Sequence, residues 1–226
     1  EDQGFRKAKI HNEAIKRAKS ELLIFMDGDC FADPRYIQDH VLMFEEHRES
    51  PYVFMGRRVE VGPELTESLT LENAHKSLAA GSMALLRSCM RDDSRNFFRS
   101  FRMTSSLFRK FFGSDNVSDL LGCNFSTQKT TMEGINGFNE AFIRYWGEDG
   151  DVFIRLRNFG CKLVGKKSFA CQYHLFHGRR DFSEEDERQY FELLQNTEYK
   201  WAKQGLMTEI PTHLQEQEML SPGSIP

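Results

Sequence analysis

The chain has 226 residues, of which 39% are hydrophobic and 28% charged, and it carries a formal net charge of −4 with a pI near 6.0. This composition is typical of a globular protein with one sizeable core, and it excludes the disordered, collagen-like and disulfide-scaffold classes. The lack of a basic excess argues against a nucleic-acid partner, so we expect none. The five cysteines form no CxxC pair, which predicts neither a disulfide framework nor a zinc ribbon and favours a reducing, cytoplasmic location.

The first sixty residues alternate helical and strand patterns. Apolar residues at helical spacing predict an amphipathic helix over residues 5–19, and the continuous apolar run ELLIFMD at 21–27 predicts a buried strand. Helical periodicity returns after Pro34, and YVFMGRRVEV at 52–61 is typical of a strand. A helix followed by a buried strand favours parallel pairing, so the fold class is predicted to be α/β.

The middle of the chain departs from that alternation. Residues 64–90 predict mainly helix, ended by a polar turn at 91–96, and the segment at about 64–118 is interpreted as an insertion. Residues 97–112 combine six phenylalanines with four basic residues and no acid. Such a segment could contact a membrane, which makes peripheral binding at the inner face of the membrane one hypothesis. The alternative, which we favour, places the phenylalanines in the core and the basic residues on a solvated rim.

The second half resumes the α/β pattern. It predicts a strand at 120–126, a short helix near Met132, a helix at 149–159, and the strands KLVG and FACQYH. A polar amphipathic helix from Ser183 to about Lys203 and a tail complete the chain. We therefore expect one domain over residues 1–182, followed by a C-terminal helix and tail over 183–226. The first dozen residues already predict a loop that enters a helix, so we expect the protein to extend upstream of Glu1.

Two carboxylates, Asp27 and Asp29, follow the first predicted strand, at the strand end where open α/β sheets bind ligands. Separated by Gly28, they can share one side of extended backbone and leave room for a diphosphate or a sugar. Their oxygens suit a hard divalent cation such as Mg²⁺ or Mn²⁺. The triplet alone is a weak signal, because the chain has a second one at 149–151 and such acids also cap turns.

A second acidic pair, Glu148 and Asp149, opens the helix predicted at 149–159 and directly follows Trp146 and Gly147. Acids in a first helical turn also interact favourably with the helix dipole and stabilise the helix, so a purely structural role is an alternative. An indole ring beside paired carboxylates, however, is a common way to bind a sugar. One of these acids could then act as a general base on an acceptor hydroxyl.

Histidines end the last predicted strand, in the sequence YHLFH at 173–177. Either His174 or His177 could complete a metal site, although a structural role is an equal alternative for each. With Cys171 they form a C-x-x-H-x-x-H pattern, but a zinc site needs a fourth ligand, for which no partner motif is visible. The motifs of P-loop, dinucleotide-binding and α/β-hydrolase enzymes are absent from the sequence.

Six segments, taken in order, resemble the GT-A glycosyltransferases of family 2 and the galactosyltransferase-like domain of chondroitin polymerases: GFRKAKIHNEAI, LLIFMDGDC, GCNFS, INGFNEAF, WGEDGDVFIRL and YHLFH. The resemblance spans about residues 1–180. It implies a Rossmann-like GT-A fold, with a mixed, mostly parallel sheet flanked by helices. The opening strand, helix and second strand of that fold have no counterpart here, so the first strands are expected to be missing.

The resemblance also implies roles for the motif residues. The cofactor would be Mn²⁺, or Mg²⁺, bound by Asp29 and by His174, which the family comparison favours over His177. Asp149 would be the catalytic base, with Glu148 beside it at the acceptor. The donor nucleotide would lie near Arg6, Lys7, Lys9, Asp27, Gly28 and Asp29, and the acceptor near Trp146, Gly147, Asn124 and Asn136.

The implied activity is that of an inverting glycosyltransferase, which moves a sugar from a nucleotide-sugar donor, in particular a UDP-sugar, to a hydroxyl of a saccharide or glycolipid acceptor. Synthesis of bacterial surface polysaccharide or lipopolysaccharide would be its setting. Two alternatives stay open: a non-catalytic carbohydrate- or partner-binding protein on the same fold, and a metal-dependent nucleotidyltransferase.

Overall fold

The computed structural model describes residues 6–102, 122–142, 147–166, 169–178, 188 and 196–207. The N-terminal elements are α1 (Lys7–Arg17), β1 (Leu22–Met26), β2 (Cys30–Ala32), α2 (Tyr36–His47), β3 (Tyr52–Met55) and β4 (Arg57–Glu60). Three short helices follow, α3 (Pro63–Glu67), α4 (Ala74–Ser77) and α5 (Met83–Met90), with a 3₁₀ turn at Phe97–Ser100. The later elements are β5 (Asn124–Gln128), α6 (Lys129–Gly134), α7 (Glu148–Asn158), β6 (Lys162–Gly165) and β7 (Cys171–His174).

The strands form two sheets. One has the order β1-β5-β3-β6, and the other has the order β2-β7-β4. The α/β class with mixed sheets flanked by helices is confirmed, but the expectation of a mostly parallel sheet is wrong for the described strands. Only β3–β6 and β4–β7 pair in parallel, whereas β5 runs antiparallel to both of its neighbours and β2 runs antiparallel to β7.

The predicted strand at 52–61 is split at Gly56, where the chain passes from one sheet to the other. A Cβ at this position would lie 2.3 Å from Asn124 Oδ1 and 2.4 Å from the carbonyl oxygen of Ala170. Only glycine allows the backbone to pass so close to both. The side-chain amide of Asn124 donates to the carbonyl oxygens of Arg57 and Ala170, which ties the two sheets together.

The predicted helix at 64–90 is three short helices. Gly81, with φ of +76°, turns the chain, and Ser82 then caps α5 by accepting a hydrogen bond from the amide of Leu85 at 3.1 Å. These helices pack on the three-stranded sheet through an apolar cluster that contains Val59, Leu65 and Leu85.

The larger core lies between the four-stranded sheet and helices α1 and α7. Ala8 and Ile15 of α1 and Val152 and Leu156 of α7 are almost fully buried there, at 2% exposure or less. Burial of this apolar area, at about 25 cal/mol per Å², supplies the main stabilisation. As a result, the N-termini of α1 and α7 are held beside the end of β1, where Asp27 lies.

Several predictions fall partly or wholly outside the described residues. Of the segment at 97–112, residues 97–102 are described: Phe97 packs against the apolar cluster that contains Val59, Leu65 and Leu85, whereas Phe98 is 78% exposed. Most of the C-terminal helix expected from Ser183 to about Lys203 is not described, and the described residues 196–203 form turns and bends instead of a helix. Among the described helices, none has the length and apolarity needed to cross a membrane.

Candidate functional site

The acidic triplet after β1 separates its two carboxylates. The chain turns at Gly28, where the amide of Cys30 donates to the carbonyl oxygen of Asp27 at 3.2 Å. Asp27 lies beside the N-termini of α1 and α7, whereas Asp29 lies beside the end of β7. A Cβ on Gly28 would meet nothing within 4 Å, so the space beside Gly28 is open.

Lys7 lies at the centre of the first group, which consists of Asp27, Glu148 and Asp149. Its ammonium nitrogen lies 3.3 Å from Asp27 Oδ1, 3.4 Å from Glu148 Oε1 and 3.2 Å from Asp149 Oδ2. Burial alone would lower the pKa of Lys7, but the carboxylates of Asp149, Asp27 and Glu148 together raise it above its ordinary value. The lysine therefore stays charged and holds three acids from distant parts of the chain in one cluster.

Asp149 has the properties of a general base. Burial raises the pKa of Asp149 to about 6; Lys7 opposes the rise, whereas the charges of Glu148 and Asp27 add to it. A base is most effective when its pKa lies close to the working pH. The Asp149 side chain is still 29% exposed, so a bound molecule can reach it.

The position of Asp149 depends on Gly122. A Cβ at Gly122 would lie 1.8 Å from the carboxyl carbon of Asp149, closer than any two such atoms can approach. Gly147, with φ of +98°, is the N-cap of α7, so Glu148 and Asp149 lie in the first turn of the helix. Glycines on both sides thus let the acidic turn pack against the strand that begins with Asn124.

Glu148 is 5% exposed, and its Oε1 faces Lys7. Its Oε2 is buried without a hydrogen-bond partner among the described residues. An unsatisfied buried carboxylate oxygen is costly, and a hydroxyl group from a bound ligand would satisfy it.

The second group consists of Asp29, His174 and His177, whose potential ligand atoms all lie within 4.8 Å of one another. His177 Nε2 lies 3.3 Å from Asp29 Oδ2 and 3.3 Å from His174 Nε2, and His174 Nε2 lies 3.7 Å from Asp29 Oδ2. The structure therefore brings both histidines to Asp29, although we preferred His174 from the sequence.

The second ring nitrogens of both histidines already have partners. His174 Nδ1 lies 3.3 Å from Glu60 Oε2, and His177 Nδ1 lies 3.0 Å from the carbonyl oxygen of Gly178. The hydrogen bond to Glu60 raises the pKa of His174, against the effect of burial. Two Nε2 atoms and one carboxylate converging on a point fit a divalent transition-metal ion such as Mn²⁺ better than Mg²⁺, which prefers oxygen ligands.

The two acids of the second triplet, Asp149 and Asp151, lie in different places, one at the site and one in the core. Asp149 faces the site, whereas Asp151 is fully buried and accepts from Arg155 Nε at 2.9 Å and from the Tyr199 hydroxyl at 2.7 Å. Arg155 also donates to the carbonyl oxygens of Ile135 and Gly137, each at 2.7 Å. Asp151 therefore belongs to the scaffold beneath the site.

The remaining predicted site residues are less central. Arg6 and Lys9 are exposed at the start of α1, on either side of the Lys7–Ala8 pair. Asn124 is buried in the contact between the sheets, and Asn136 donates to the carbonyl oxygens of Ala202 and Met207. Their observed contacts are structural, and the acceptor roles assigned to them stay predictions. Trp146 lies outside the described residues.

Two features of the site escaped sequence reasoning. The sequence places Lys7 near the nucleotide, but its contacts are with carboxylates, and they form because α1 and α7 pack on the same sheet. Glu60 was not predicted as a site residue because it lies in a strand whose sequence contains no site motif. Its place beside His174 follows from the register of β4 and β7, and the sequence does not show that these strands pair in parallel.

Two protein-family profiles match the chain. The profile described as "Glycosyl transferase family 2" matches residues 1–113, half of the chain, and includes Lys7, Asp27, Asp29 and Glu60. The profile described as "N-terminal domain of galactosyltransferase" matches residues 102–178, which include Glu148, Asp149 and both histidines. A search of curated proteins gave no significant match. Both profiles are those of glycosyl-transferring enzymes, and the chain belongs to glycosyl transferase family 2.

Proposed function

We propose that the chain is an inverting, metal-dependent hexosyltransferase that uses a nucleotide-sugar donor, in particular a UDP-sugar, and a saccharide or glycolipid acceptor. The observation that carries the proposal is the cluster of Asp27, Glu148 and Asp149 around Lys7, next to the metal-ligand group at Asp29. One acidic triplet thus contributes to both groups.

The chemistry assigned to the first group is proton transfer. An acceptor hydroxyl gives its proton to the Asp149 carboxylate, and the resulting oxygen attacks the anomeric carbon of the donor sugar. The bond from that carbon to the diphosphate oxygen breaks on the opposite face, so the anomeric configuration inverts. The unsatisfied Oε2 of Glu148 would accept a second acceptor hydroxyl, and Asp27 would bind a hydroxyl of the donor.

Asp29, His174 and His177 would hold the cation, with Mn²⁺ favoured by the two imidazoles and Mg²⁺ as the alternative. When bound there, such an ion supplies positive charge that stabilises the departing nucleoside diphosphate. An acidic residue is then unnecessary on the leaving-group side, and the donor nucleotide would extend from this group towards the start of α1.

A setting in bacterial surface polysaccharide or lipopolysaccharide synthesis, in the cytoplasm or at the inner face of the membrane, follows from the family likeness and from the basic, aromatic segment at 97–112. Exposed Phe98 supports a surface contact there. Binding to vesicles with anionic lipids, compared between the wild type and Phe98→Ser, tests this part of the proposal.

A panel of nucleotide sugars tests the activity. The protein is incubated with each donor, with and without MnCl₂, and release of the nucleoside diphosphate is followed; the anomeric configuration of any product is read by NMR. Mn²⁺-dependent release from one donor, with inversion in the product, supports the proposal. If no donor is bound or hydrolysed, the chain is a binding protein on this fold, and release of pyrophosphate from a nucleoside triphosphate would instead indicate a nucleotidyltransferase.

A further inference from the structure

His174 lies on the central strand of the three-stranded sheet, between two acids. In the strand register it pairs with Cys30 of β2 on one side and with Glu60 of β4 on the other. Backbone hydrogen bonds fix both sides of the strand. The amide of Leu175 donates to the carbonyl oxygen of Asp29 at 2.9 Å, and the amide of Val61 donates to the carbonyl oxygen of His174 at 2.9 Å. The imidazole therefore lies between Asp29 and Glu60.

The two ring nitrogens of His174 face different acids. Nδ1 lies 3.3 Å from Glu60 Oε2, whereas Nε2 lies 3.7 Å from Asp29 Oδ2. A neutral imidazole carries one N–H, so a proton on Nδ1 that is donated to Glu60 leaves the lone pair of Nε2 directed towards Asp29. Glu60 thus selects the tautomer that can bind a cation beside Asp29.

Glu60 is itself held in place. Its Oε1 accepts from Arg58 Nε at 2.6 Å, and its backbone exchanges hydrogen bonds with Arg95, which follows α5, at 3.1 and 2.8 Å. The intervening Val59 is fully buried. The Glu60 side chain is 33% exposed, and ion pairs this open to solvent contribute little to stability. Its removal should therefore leave the fold intact.

We propose that Glu60, oriented by Arg58, is a positioning residue for the metal site: it holds His174 by Nδ1 so that Nε2 is available to the cation. This inference rests on the proposed metal dependence and extends it to residues on β4. Carboxylates that orient a metal-binding histidine typically change metal affinity about 10- to 100-fold when they are removed.

Binding of Mn²⁺ alone, titrated by electron paramagnetic resonance without any donor, tests the proposal. We expect Glu60→Ala to weaken Mn²⁺ binding about 10- to 100-fold. Glu60→Gln should recover part of that loss, because its amide oxygen can still accept from Nδ1. In ¹⁵N NMR of the metal-free protein, the His174 signals should lose their preference for the Nδ1–H tautomer in Glu60→Ala. Glu64→Gln, which alters an exposed glutamate 3.8 Å from Arg91, is the matched control and should bind Mn²⁺ as the wild type does.

The outcomes distinguish the positioning role of Glu60 from the metal site itself. If Glu60→Ala unfolds at the wild-type denaturant concentration and binds Mn²⁺ with wild-type affinity, Glu60 is only a partner of Arg58 and the positioning role is overturned, while the metal site stands. If the wild type binds no Mn²⁺, the metal site is wrong and the positioning role falls with it.

Discussion

The ammonium nitrogen of Lys7 lies 3.2 Å from Asp149 Oδ2, although the two residues are 142 positions apart in the chain. Lys7 is in the first turn of α1 and Asp149 is in the first turn of α7, so the pair exists because both helices pack on the same sheet. The contact influences the protonation of the proposed base: burial raises the pKa of Asp149 to about 6, and Lys7 opposes that rise.

The dependence of kcat/KM on pH should report this balance. Asp149 acts only as a carboxylate, so activity should rise with increasing pH through about 6. Lys7→Met removes the charge that favours the carboxylate, so the ascending limb should move to higher pH. Lys7→Arg, which keeps the charge, should leave the limb close to the wild-type position. A limb that does not move in Lys7→Met would mean that another group titrates.

Gly122→Ala should displace the proposed base, Asp149, although Asp149 itself is not substituted. The new Cβ would lie 1.8 Å from the Asp149 carboxyl carbon, so the side chain must leave its position. We expect kcat to fall by about 10²-fold or more, within the range attributed to a general base. Both substitutions remove the same function, proton transfer by Asp149. The double variant with Gly122→Ala and Asp149→Asn should therefore have a kcat only slightly lower than that of Asp149→Asn alone. Additive losses in kcat would show that Gly122 acts elsewhere.

Asp151→Asn should reduce stability. The substitution leaves the guanidinium of Arg155 buried without its anion, and breaking such a pair typically costs about 3–5 kcal/mol. Urea unfolding followed by circular dichroism measures the change in the free energy of unfolding. Glu13→Gln, in an exposed pair with Lys16, is the control and should change it by less than about 0.5 kcal/mol. A loss below about 1 kcal/mol for Asp151→Asn would show that the buried pair has little role in holding α7.

His177→Ala and His174→Ala should both weaken Mn²⁺ binding. Both Nε2 atoms lie near Asp29 Oδ2, so each variant removes one ligand atom, and the loss should be at least the roughly tenfold typical of a supporting residue. The affinity is measured by Mn²⁺ titration, with the exposed His75→Ala as control. Wild-type affinity in His177→Ala would reduce the protein ligands to Asp29 and His174.

Local patterns predicted many of the elements. Helix α1, strand β1 and strand β6 fall within or beside the residues that their periodicity indicated, because each buries one apolar face in the core. Periodicity did not reveal the breaks at Gly56 and Gly81. The first exists because Asn124 and Ala170 approach the backbone from other strands, and such contacts leave no trace in the local sequence.

Local sequence patterns also could not predict the directions of the strands or the partners of the side chains. The antiparallel insertion of β5 between β1 and β3 depends on long-range pairing, and so do the contacts of Lys7 and Glu60. The acids at strand and helix ends were predictable because open α/β sheets bind ligands there. Their division into the two groups for which we propose proton transfer and metal binding required the positions of α1 and β7.

Binding and transfer, measured side by side in Asp149→Asn and Asp29→Ala, test the central claim that the two groups have separate roles. Binding of UDP in the presence of MnCl₂ is measured by calorimetry, and sugar transfer is measured with the donor that the wild type consumes. We expect Asp149→Asn to bind UDP and Mn²⁺ as the wild type does, while its sugar transfer falls about 10²- to 10⁴-fold. We expect Asp29→Ala to lose both metal-dependent UDP binding and sugar transfer. Normal transfer by Asp149→Asn, or metal-dependent UDP binding by Asp29→Ala, would contradict the account.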